Sequence, residues 1–385
     1  MSEAVNIPQL RFPEFSGEWE ESRLGDVSTN IMYGIGSAAT KYDGVNKYLR
    51  ITDINDSSRN FVPKPLTSPE GFINDSYKLS DGDIVFARTG ASVGKSYLYK
   101  ASDGNLIFAG FLIKFNISNA DPYFVYSNTF RSTYDNWISV MSVRSGQPGL
   151  NAEEYKLLPI SLPTKPEQQK IAAFLTAVDN KIEQLSKKQK LLGEYKKGLM
   201  QQIFSQAIRF KADDGSDFPD WEEKKLRNVL SSVSTRPYQI KSADILEFGS
   251  HKVVDQGQKE LAGYTNEKDK LLTNDGVIVY GDHTTIVKFI NYDFVVGADG
   301  VKLLTSDSNN IKYLYFNLLF NNVGPEGYKR HFSILKNVVL QIPSLPEQNK
   351  IANFLSSIDS KIEQVGKQLN ESKQFKKALL QQMFV

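Results

Sequence analysis

Two segments of the chain carry apolar residues at the spacing of a long amphipathic helix. Alternating steps of four and three residues from Ile171, and again from Ile351, each meet eight apolar positions in ten. An apolar seam sustained over more than four heptads predicts a coiled coil. The seam comprises Ile171, Leu175, Val178, Ile182, Leu185, Leu199 and Ile203 in the first segment, and Ile351, Leu355, Ile358, Ile362, Val365, Leu379 and Met383 in the second.

The two segments are copies of one another. Residues 166–204 and 346–384 align without gaps at an offset of 180, and 20 of 39 positions are identical. Each copy opens with the pattern of a capping box, Thr164-Lys-Pro-Glu167 and Ser344-Leu-Pro-Glu347, with proline where its missing N–H is tolerated. Helices are therefore expected from near residues 165 and 345, each about 57 Å long at 1.5 Å per residue. Lys196 and Lys376 interrupt the seam at the same repeat position, either to fix register or contact a partner, or because the seam frays there.

A mixed globular block precedes each helix. Phe12-Pro13-Glu14 followed by Trp19 resembles Phe218-Pro219-Asp220 followed by Trp221, and both tryptophans are expected in cores. In each block β-rich runs (83–86, 277–280) alternate with Gly, Asn and Asp turns and a helical stretch (123–129, 312–320). The predicted domains are a first block at 1–165, a helix at 166–204, a second block at 205–345 and a helix at 346–385.

This order of elements predicts an architecture. The first helix leaves one block and reaches the other, and the second helix can bury its seam only by returning along the first. We therefore expect an α+β protein with two globular α/β blocks joined by two long antiparallel coiled-coil helices. The expected shape is a dumbbell with a pseudo-two-fold axis across its middle.

Composition excludes several classes of protein. The 385 residues include no cysteine, so disulfides, thiolate metal sites and cysteine nucleophiles are absent. Three histidines occur, none at a metal-ligand spacing, and we expect no metal site. Apolar runs are too short to span a bilayer, and the first residues lack the pattern of a secretory signal, so a cytoplasmic protein without membrane contact is expected.

Basic charge is concentrated in the helices. The whole chain has a net charge of +2, the two blocks carry −2 and −1, and the two helical segments carry +3 and +2. Lysines aligned against phosphates and lysines on solvated helix faces both fit this distribution.

A glycine-rich stretch, Gly90-Ala-Ser-Val-Gly-Lys-Ser96, is close to a nucleotide-binding P-loop. It has three residues between its glycines where the P-loop has four. A P-loop also needs a helix after Lys95-Ser96, whereas Tyr97-Leu98-Tyr99 favours a strand. Alignment with the second block places Lys95 on Lys288 and Gly90 on His283, where no Gly-Lys-Ser exists. A turn between strands is favoured, and a P-loop-like NTPase using Gly90–Ser96 remains an alternative.

Three features of the chain resemble the specificity (S) subunit of type I restriction-modification enzymes. They are the paired segments with the pattern PEQ.KIA.FL...D.KIEQ, the stretch DGDIVFARTGASVGKS, and RSGQPGLN at 144–151. The resemblance covers essentially the whole chain. It implies that each block is a target recognition domain reading one half of a bipartite target in double-stranded DNA. It also implies that the helices set the half-site spacing and dock two methyltransferase (M) subunits, that restriction (R) subunits join the complex, and that the S subunit is non-catalytic.

The resemblance also bears on cofactors and on the target. S-adenosylmethionine, ATP and Mg are expected on partner subunits, and this chain is expected to bind no cofactor. The nearest string to an adenine methyltransferase motif, Asp121-Pro-Tyr-Phe124, lacks the second proline. Since the two blocks differ in sequence, an asymmetric target is expected. A coiled-coil scaffold without DNA binding remains a further alternative.

Candidate DNA-binding residues are polar side chains in loops, because such groups read base edges and phosphates; the other interpretation is ordinary surface loops. No catalytic residue is predicted. In the first block the candidates are Arg88, Thr89, Ser92 and Lys95 after a predicted strand, and Arg144, Ser145 and Gln147 in a glycine-bearing loop; in the second block they are His283, Thr284 and Lys288 at the equivalent turn, Arg236, Tyr238 and Gln239 after a predicted helix, and Lys329, Arg330 and His331.

Overall fold

The computed structural model describes residues 6–327 and 329–385. The first five residues of the predicted first block, and Tyr328 in the second, lie outside the described residues. The chain divides into two compact units, Met1–Ser186 with Gln368–Val385, and Lys187–Lys367. Each long helix therefore contributes one part to each unit, and the predicted division into four domains stays a prediction.

The described part of the first unit contains ten strands, three complete helices and parts of both long helices. Its strands are β1 Glu20–Arg23, β2 Ser28–Tyr33, β3 Ala39–Lys41, β4 Lys47–Leu49, β5 Thr67–Pro69, β6 Asp83–Ala87, β7 Ser96–Leu98, β8 Leu106–Phe108, β9 Leu112–Ile117 and β10 Pro159–Leu162. Its helices are α1 Pro122–Asn128, α2 Ser132–Met141, α3 Ala152–Lys156 and the first part of α4 Lys165–Phe204.

The described part of the second unit also has ten strands, with two complete helices and parts of both long helices. Its strands are β11 Glu222–Lys225, β12 Ser231–Val233, β13 Gln239–Ile240, β14 His251–Val254, β15 Gly263–Thr265, β16 Val277–Gly281, β17 Val287–Ile290, β18 Val295–Gly297, β19 Val301–Thr305 and β20 Val339–Ile342. Its helices are α5 Ile311–Phe320, α6 Phe332–Leu335 and the first part of α7 Leu345–Gln382.

Each unit contains a four-stranded sheet, and the two sheets have the same strand arrangement. The first unit has a four-stranded sheet in the order β2-β9-β6-β7, and the second has the order β12-β19-β16-β17. In both, the central strands (β6, β16) are fully buried, and the turn that follows each one carries predicted site residues. A short antiparallel pair, β1 with β10 or β11 with β20, then leads the chain into the long helix.

The long helices begin where the sequence predicts, at Lys165 and Leu345. The glutamates of both predicted capping boxes bind arginines, and the box predicted at Ser344 does not form. Glu167 accepts two hydrogen bonds of 2.8 Å from Arg11, and Glu347 accepts bonds from Arg209. In the described part of the chain the Ser344 hydroxyl has no hydrogen-bond partner. Each helix start is therefore fixed by a buried carboxylate–guanidinium pair.

In each unit the two helices pack antiparallel within the core. In the first unit Ile171 and Leu175 contact the cluster that contains Leu379 and Met383. In the second unit, the other end of the seam joins Ile203 with Ile351, Leu355 and Ile358. Trp19 and Trp221 are buried beside these helices, as expected for core residues. The remaining seam residues are buried or half-buried: Val178, Ile182, Leu185, Leu199, Ile362 and Val365.

Candidate nucleic-acid interface

The glycine-rich stretch forms the turn between β6 and β7. Gly90 and Gly94 have φ angles of +71° and +87°, which favour glycine, and a Cβ on Gly94 would lie 2.9 Å from Ile138 of α2. Lys95-Ser96 leads into strand β7 rather than a helix, and the Lys95 ammonium binds the Ile54 carbonyl at 3.2 Å and the Asp56 carboxylate. The geometry contradicts the P-loop alternative, which needs a helix at that point.

The two predicted loops of the first block lie side by side. Thr89 forms a β-bridge with Gly149, and the Gly90 amide donates to the Pro148 carbonyl at 2.9 Å. The Leu150 amide donates to the carbonyl of Arg88, also at 2.9 Å. Candidates more than fifty residues apart in sequence are therefore brought onto one surface.

Arg88 is the best-positioned cation on this surface. Its Nε donates to the Gly110 carbonyl at 3.1 Å, and its guanidinium lies 5.1 Å from the centroid of the Tyr33 ring. Phe111, next to Gly110 in the tight β8–β9 turn, is 61% exposed. Sequence reasoning missed Tyr33 and Phe111, because an aromatic residue inside a β-rich run resembles core. We call Tyr33, Arg88, Thr89, Phe111 and Gln147 the Arg88 surface.

The other candidates of the first block differ in exposure and in the partners that their side chains bind. Ser145 and Gln147 are exposed, and the Gln147 side chain lies against Gly90. Arg144 is exposed but forms an ion pair with Glu154 of α3. Ser92 is half-buried and lines a cavity of about 390 Å³ between the β6–β7 turn and α2. With Lys95 and Arg144 held by carboxylates, Ser145 and Gln147 are the exposed uncharged candidates of this block.

In the second block the turn between β16 and β17 is three residues shorter, and this changes the alignment. Lys288 lies inside β17, paired with Val279, at the position that Tyr97 occupies opposite Val85 in the first unit. It is buried, with Nζ 2.8 Å from the carbonyl oxygen of Asp255. Burial lowers the pKa of Lys288, although Asp255 opposes that shift. The predicted equivalence with Lys95 is wrong, and Lys288 has no surface position from which to reach DNA.

His283 and Thr284 occupy the short turn itself. Thr284 Oγ1 donates to the Gln256 carbonyl at 2.6 Å, and His283 Nδ1 lies 3.2 Å from the Lys329 carbonyl. The turn thus adjoins the predicted segment Lys329–Arg330, whose side chains are exposed.

His331 is fully buried. Its Nε2 accepts from the Glu326 amide at 2.9 Å, and its Nδ1 lies 3.1 Å from the Asp282 carbonyl oxygen. These bonds connect Glu326 and His331 to the β16–β17 turn. His331 therefore supports the loops of the candidate surface through hydrogen bonds, and its buried ring is not accessible to a ligand.

The third candidate group of the second block joins the same surface. In place of the helix expected before it, the chain forms only a short 3-10 turn at Leu226–Asn228. Arg236 is exposed, Tyr238 packs on the core, and Gln239 donates to the Asp299 carboxylate at 2.7 Å. The Asp299 carbonyl in turn accepts from Gln256 at 3.0 Å, which connects this group to the β16–β17 turn. Gln256 was missed because nothing in its sequence context distinguishes it.

The described residues hold no group of three or more His, Asp or Glu side chains placed for a metal ion. Across the same ranges, no helix is long and apolar enough to cross a membrane. What the geometry offers is two loop surfaces of polar and cationic side chains, one on each repeat of the sheet, and the first of them also carries the exposed aromatic rings of Tyr33 and Phe111.

This chain belongs to the family described as the type I restriction modification DNA specificity domain, whose model matches residues 16–192 and 219–373. It is 23% identical, over 97% of its length and 95% of the relative, to the putative type I restriction enzyme MjaX specificity subunit of Methanocaldococcus jannaschii. The MjaVIII specificity subunit of that organism is 24% identical, over 96% of this chain and 92% of its own.

Among solved structures, the S subunit of a type I restriction-modification system from M. genitalium superposes with a TM-score of 0.66. The two share 15% identity, and the match covers 98% of this chain and 99% of that one. The predicted family and fold class are confirmed. The chain is a DNA specificity subunit of a type I system, a non-catalytic role, and neither the NTPase nor the scaffold alternative has support.

Proposed function

We propose that each unit reads one half of a bipartite DNA target and that the two halves differ. The observation that carries this proposal is the repetition of one sheet with unlike loops. The order β2-β9-β6-β7 recurs as β12-β19-β16-β17, but the turn after the central strand has eight residues in one unit and five in the other. A common framework with different loops suits two readers of the same kind for different sequences.

In the first unit, the Arg88 surface and the exposed 144–147 loop are the proposed reading groups. Arginine and glutamine side chains form bidentate bonds to guanine and adenine, and an exposed phenylalanine suits apolar contact with a thymine methyl group. Arg88 already uses one N–H on Gly110, so its remaining N–H groups are the ones available to DNA. Thr89, Ser92, Arg144 and Ser145 would supply phosphate or base contacts beside it.

In the second unit, the proposed reading groups are His283, Thr284, Arg236, Gln239 and the exposed pair Lys329–Arg330. The network through Gln256 and Asp299 holds these loops together, so they would meet the duplex as one surface. Because this set differs from that of the first unit in its residues and in the length of its central turn, we expect an asymmetric target.

We infer that the repeated helices dock two copies of one partner, the M subunit. Tyr195 and Phe375 stand at the same repeat position and are 55% and 53% exposed. Large exposed aromatic side chains are typical interface anchors. The exposed lysines Lys197 and Lys377 are also identical between the copies. An aromatic ring exposed to solvent is not stabilising, so its presence at the same position of both copies is explained better by a partner that binds twice.

Catalysis would then come from the partners. S-adenosylmethionine is expected on the M subunits, and ATP and Mg on R subunits that join the assembled complex. A complex that acts on cellular DNA would work in the cytoplasm. The helices, continuous through both units, would set the gap between the half-sites.

The proposal is tested by block exchange in the complex of this chain with M subunits. Replacing residues 20–160 with those of a related specificity subunit should change one half of the methylated target and leave the other half and the gap unchanged. Methylation that ignores the exchange, or a change in both halves, would contradict it.

Partner docking has its own test. Tyr195→Ala should remove one M subunit per complex and Phe375→Ala the other, so native mass spectrometry should show complexes with a single M subunit. The control is Lys190→Ala on an exposed face of α4, which should leave the stoichiometry unchanged. Complexes with two M subunits in both aromatic variants would exclude these residues as anchors.

A further inference from the structure

Two cross-helix ion pairs lie at repeat-equivalent positions. In the first unit, Lys376 of α7 binds Asp179 of α4, with Nζ 2.7 Å from Oδ1 and 2.9 Å from Oδ2. In the second unit, Lys196 of α4 binds Asp359 of α7 at 2.5 Å. Both lysines and both aspartates are related by the offset of 180 that relates the helices. The seam does not fray at these lysines, because Ile203 beyond Lys196 and Met383 beyond Lys376 are buried.

Each pair is also held by the neighbouring block. Lys376 Nζ lies 4.7 Å from the centroid of Phe130, which follows α1, and the Tyr123 hydroxyl of α1 donates to Asp179. Lys196 Nζ lies 4.8 Å from the centroid of Phe316 in α5. The aromatic rings come from differently placed residues of the two blocks. The ion pair therefore recurs although its surroundings differ.

These pairs are unlike ordinary surface salt bridges, which contribute little. The lysine side chains are only 15% and 16% exposed. Each ammonium group also lies over an aromatic ring, whose face attracts a cation. A polar residue in an otherwise apolar seam characteristically specifies register, at a cost in stability. Apolar seam contacts tolerate small axial and rotational shifts, whereas a lysine–aspartate pair between helices is satisfied at one setting.

We propose that Lys196–Asp359 and Lys376–Asp179 are positioning residues that hold α4 and α7 in one register and seat each recognition block on them. They thereby restrict the complex to one gap length between half-sites. This inference rests on the proposed function, in which the helices set that gap.

The test uses the complex of this chain with M subunits and S-adenosylmethionine, on duplexes that carry both half-sites separated by the natural gap or by one base pair more or less. Lys196→Met, Asp359→Asn and the charge exchange Lys196→Asp with Asp359→Lys are compared. Each single variant should raise methylation of the altered gaps relative to the natural gap about fivefold, the factor expected for coupling of a contacting pair. The exchange should restore part of the wild-type ratio.

The matched control is Lys190→Met, which removes the same charge from an exposed pair within α4, where Lys190 lies 3.8 Å from Glu194. It should leave the gap ratio unchanged. If wild-type protein shows no bipartite target, the proposed function itself fails. If wild-type protein selects one gap and both single variants, folded by circular dichroism, select it equally well, the positioning role is refuted. Should Lys196→Met not fold, the milder Asp359→Asn decides.

Discussion

At the start of α7, one buried carboxylate accepts hydrogen bonds from two donors, and its removal has a calculable cost. Glu347 is fully buried and accepts from Arg209 at 2.9 Å and from the Trp221 indole Nε1 at 3.0 Å. At the start of α4, Glu167 likewise binds Arg11, but Trp19 Nε1 has no hydrogen-bond partner in the described part of the chain. The repeat therefore contains its own control.

The perturbation is Glu347→Ala, alone and with Trp221→Phe. Removing one partner of a buried ion pair costs about 3–5 kcal/mol, and the lower end applies because the Arg209 side chain is 24% exposed. The indole N–H left without its acceptor adds about 1–3 kcal/mol. Trp221→Phe removes that donor, so the two substitutions should be non-additive by about 1–2 kcal/mol. The matching cycle of Glu167→Ala with Trp19→Phe should be additive to within about 0.5 kcal/mol.

Differential scanning calorimetry is the appropriate assay, because two units need not melt together. For a unit of this size, 1 kcal/mol corresponds to about 2–4 °C in Tm. The Glu347–Trp221 cycle should therefore depart from additivity by about 2–8 °C. Equal non-additivity in the two cycles, or none in the first, would refute the assignment of the Trp221 hydrogen bond.

Other variants test individual placements. Lys288→Met should lower the stability of the second unit without altering target choice, as a melt and a methylation map would show. Burial lowers the pKa of Lys288, so the unfolded chain holds that proton more tightly than the folded one. The difference in unfolding free energy between wild type and variant should therefore shift in favour of the wild type as pH rises toward about 10.4. Gly94→Ala should cost about 1–3 kcal/mol in urea unfolding, since its φ is positive and its Cβ would meet Ile138. Arg88→Ala should weaken binding to the first half-site about 5- to 100-fold in a fluorescence titration, and the lost bond to Gly110 should cost only about 0.5–1.5 kcal/mol of stability.

The architecture was predictable from sequence because it repeats. Two copies of a 39-residue segment, each with an apolar period, specify two long helices and their boundaries. The buried strands β6 and β16 and the helices α1 and α5 follow from equally local patterns. Periodicity decides these elements before any tertiary contact is known.

The candidate site was predictable only in part, because loop geometry depends on contacts distant in sequence. The sequence predicts Lys288 and His331 at the surface, yet both are buried and bind the backbone carbonyls of residues distant in sequence, Asp255 and Asp282. Phe111 reads as core, but the tight β8–β9 turn exposes it. A difference of three residues between two turns shifted the alignment that linked Lys95 to Lys288. Composition carries no information about such placements.

We expect this chain to direct methylation to one asymmetric, two-part DNA sequence. Single-molecule sequencing of host DNA, with the chain's coding sequence intact or deleted, measures this directly. We expect methylated adenines in a single motif of two unlike half-sites at a fixed gap, and the loss of that motif on deletion. An undivided or palindromic motif, or methylation that survives the deletion, would contradict it.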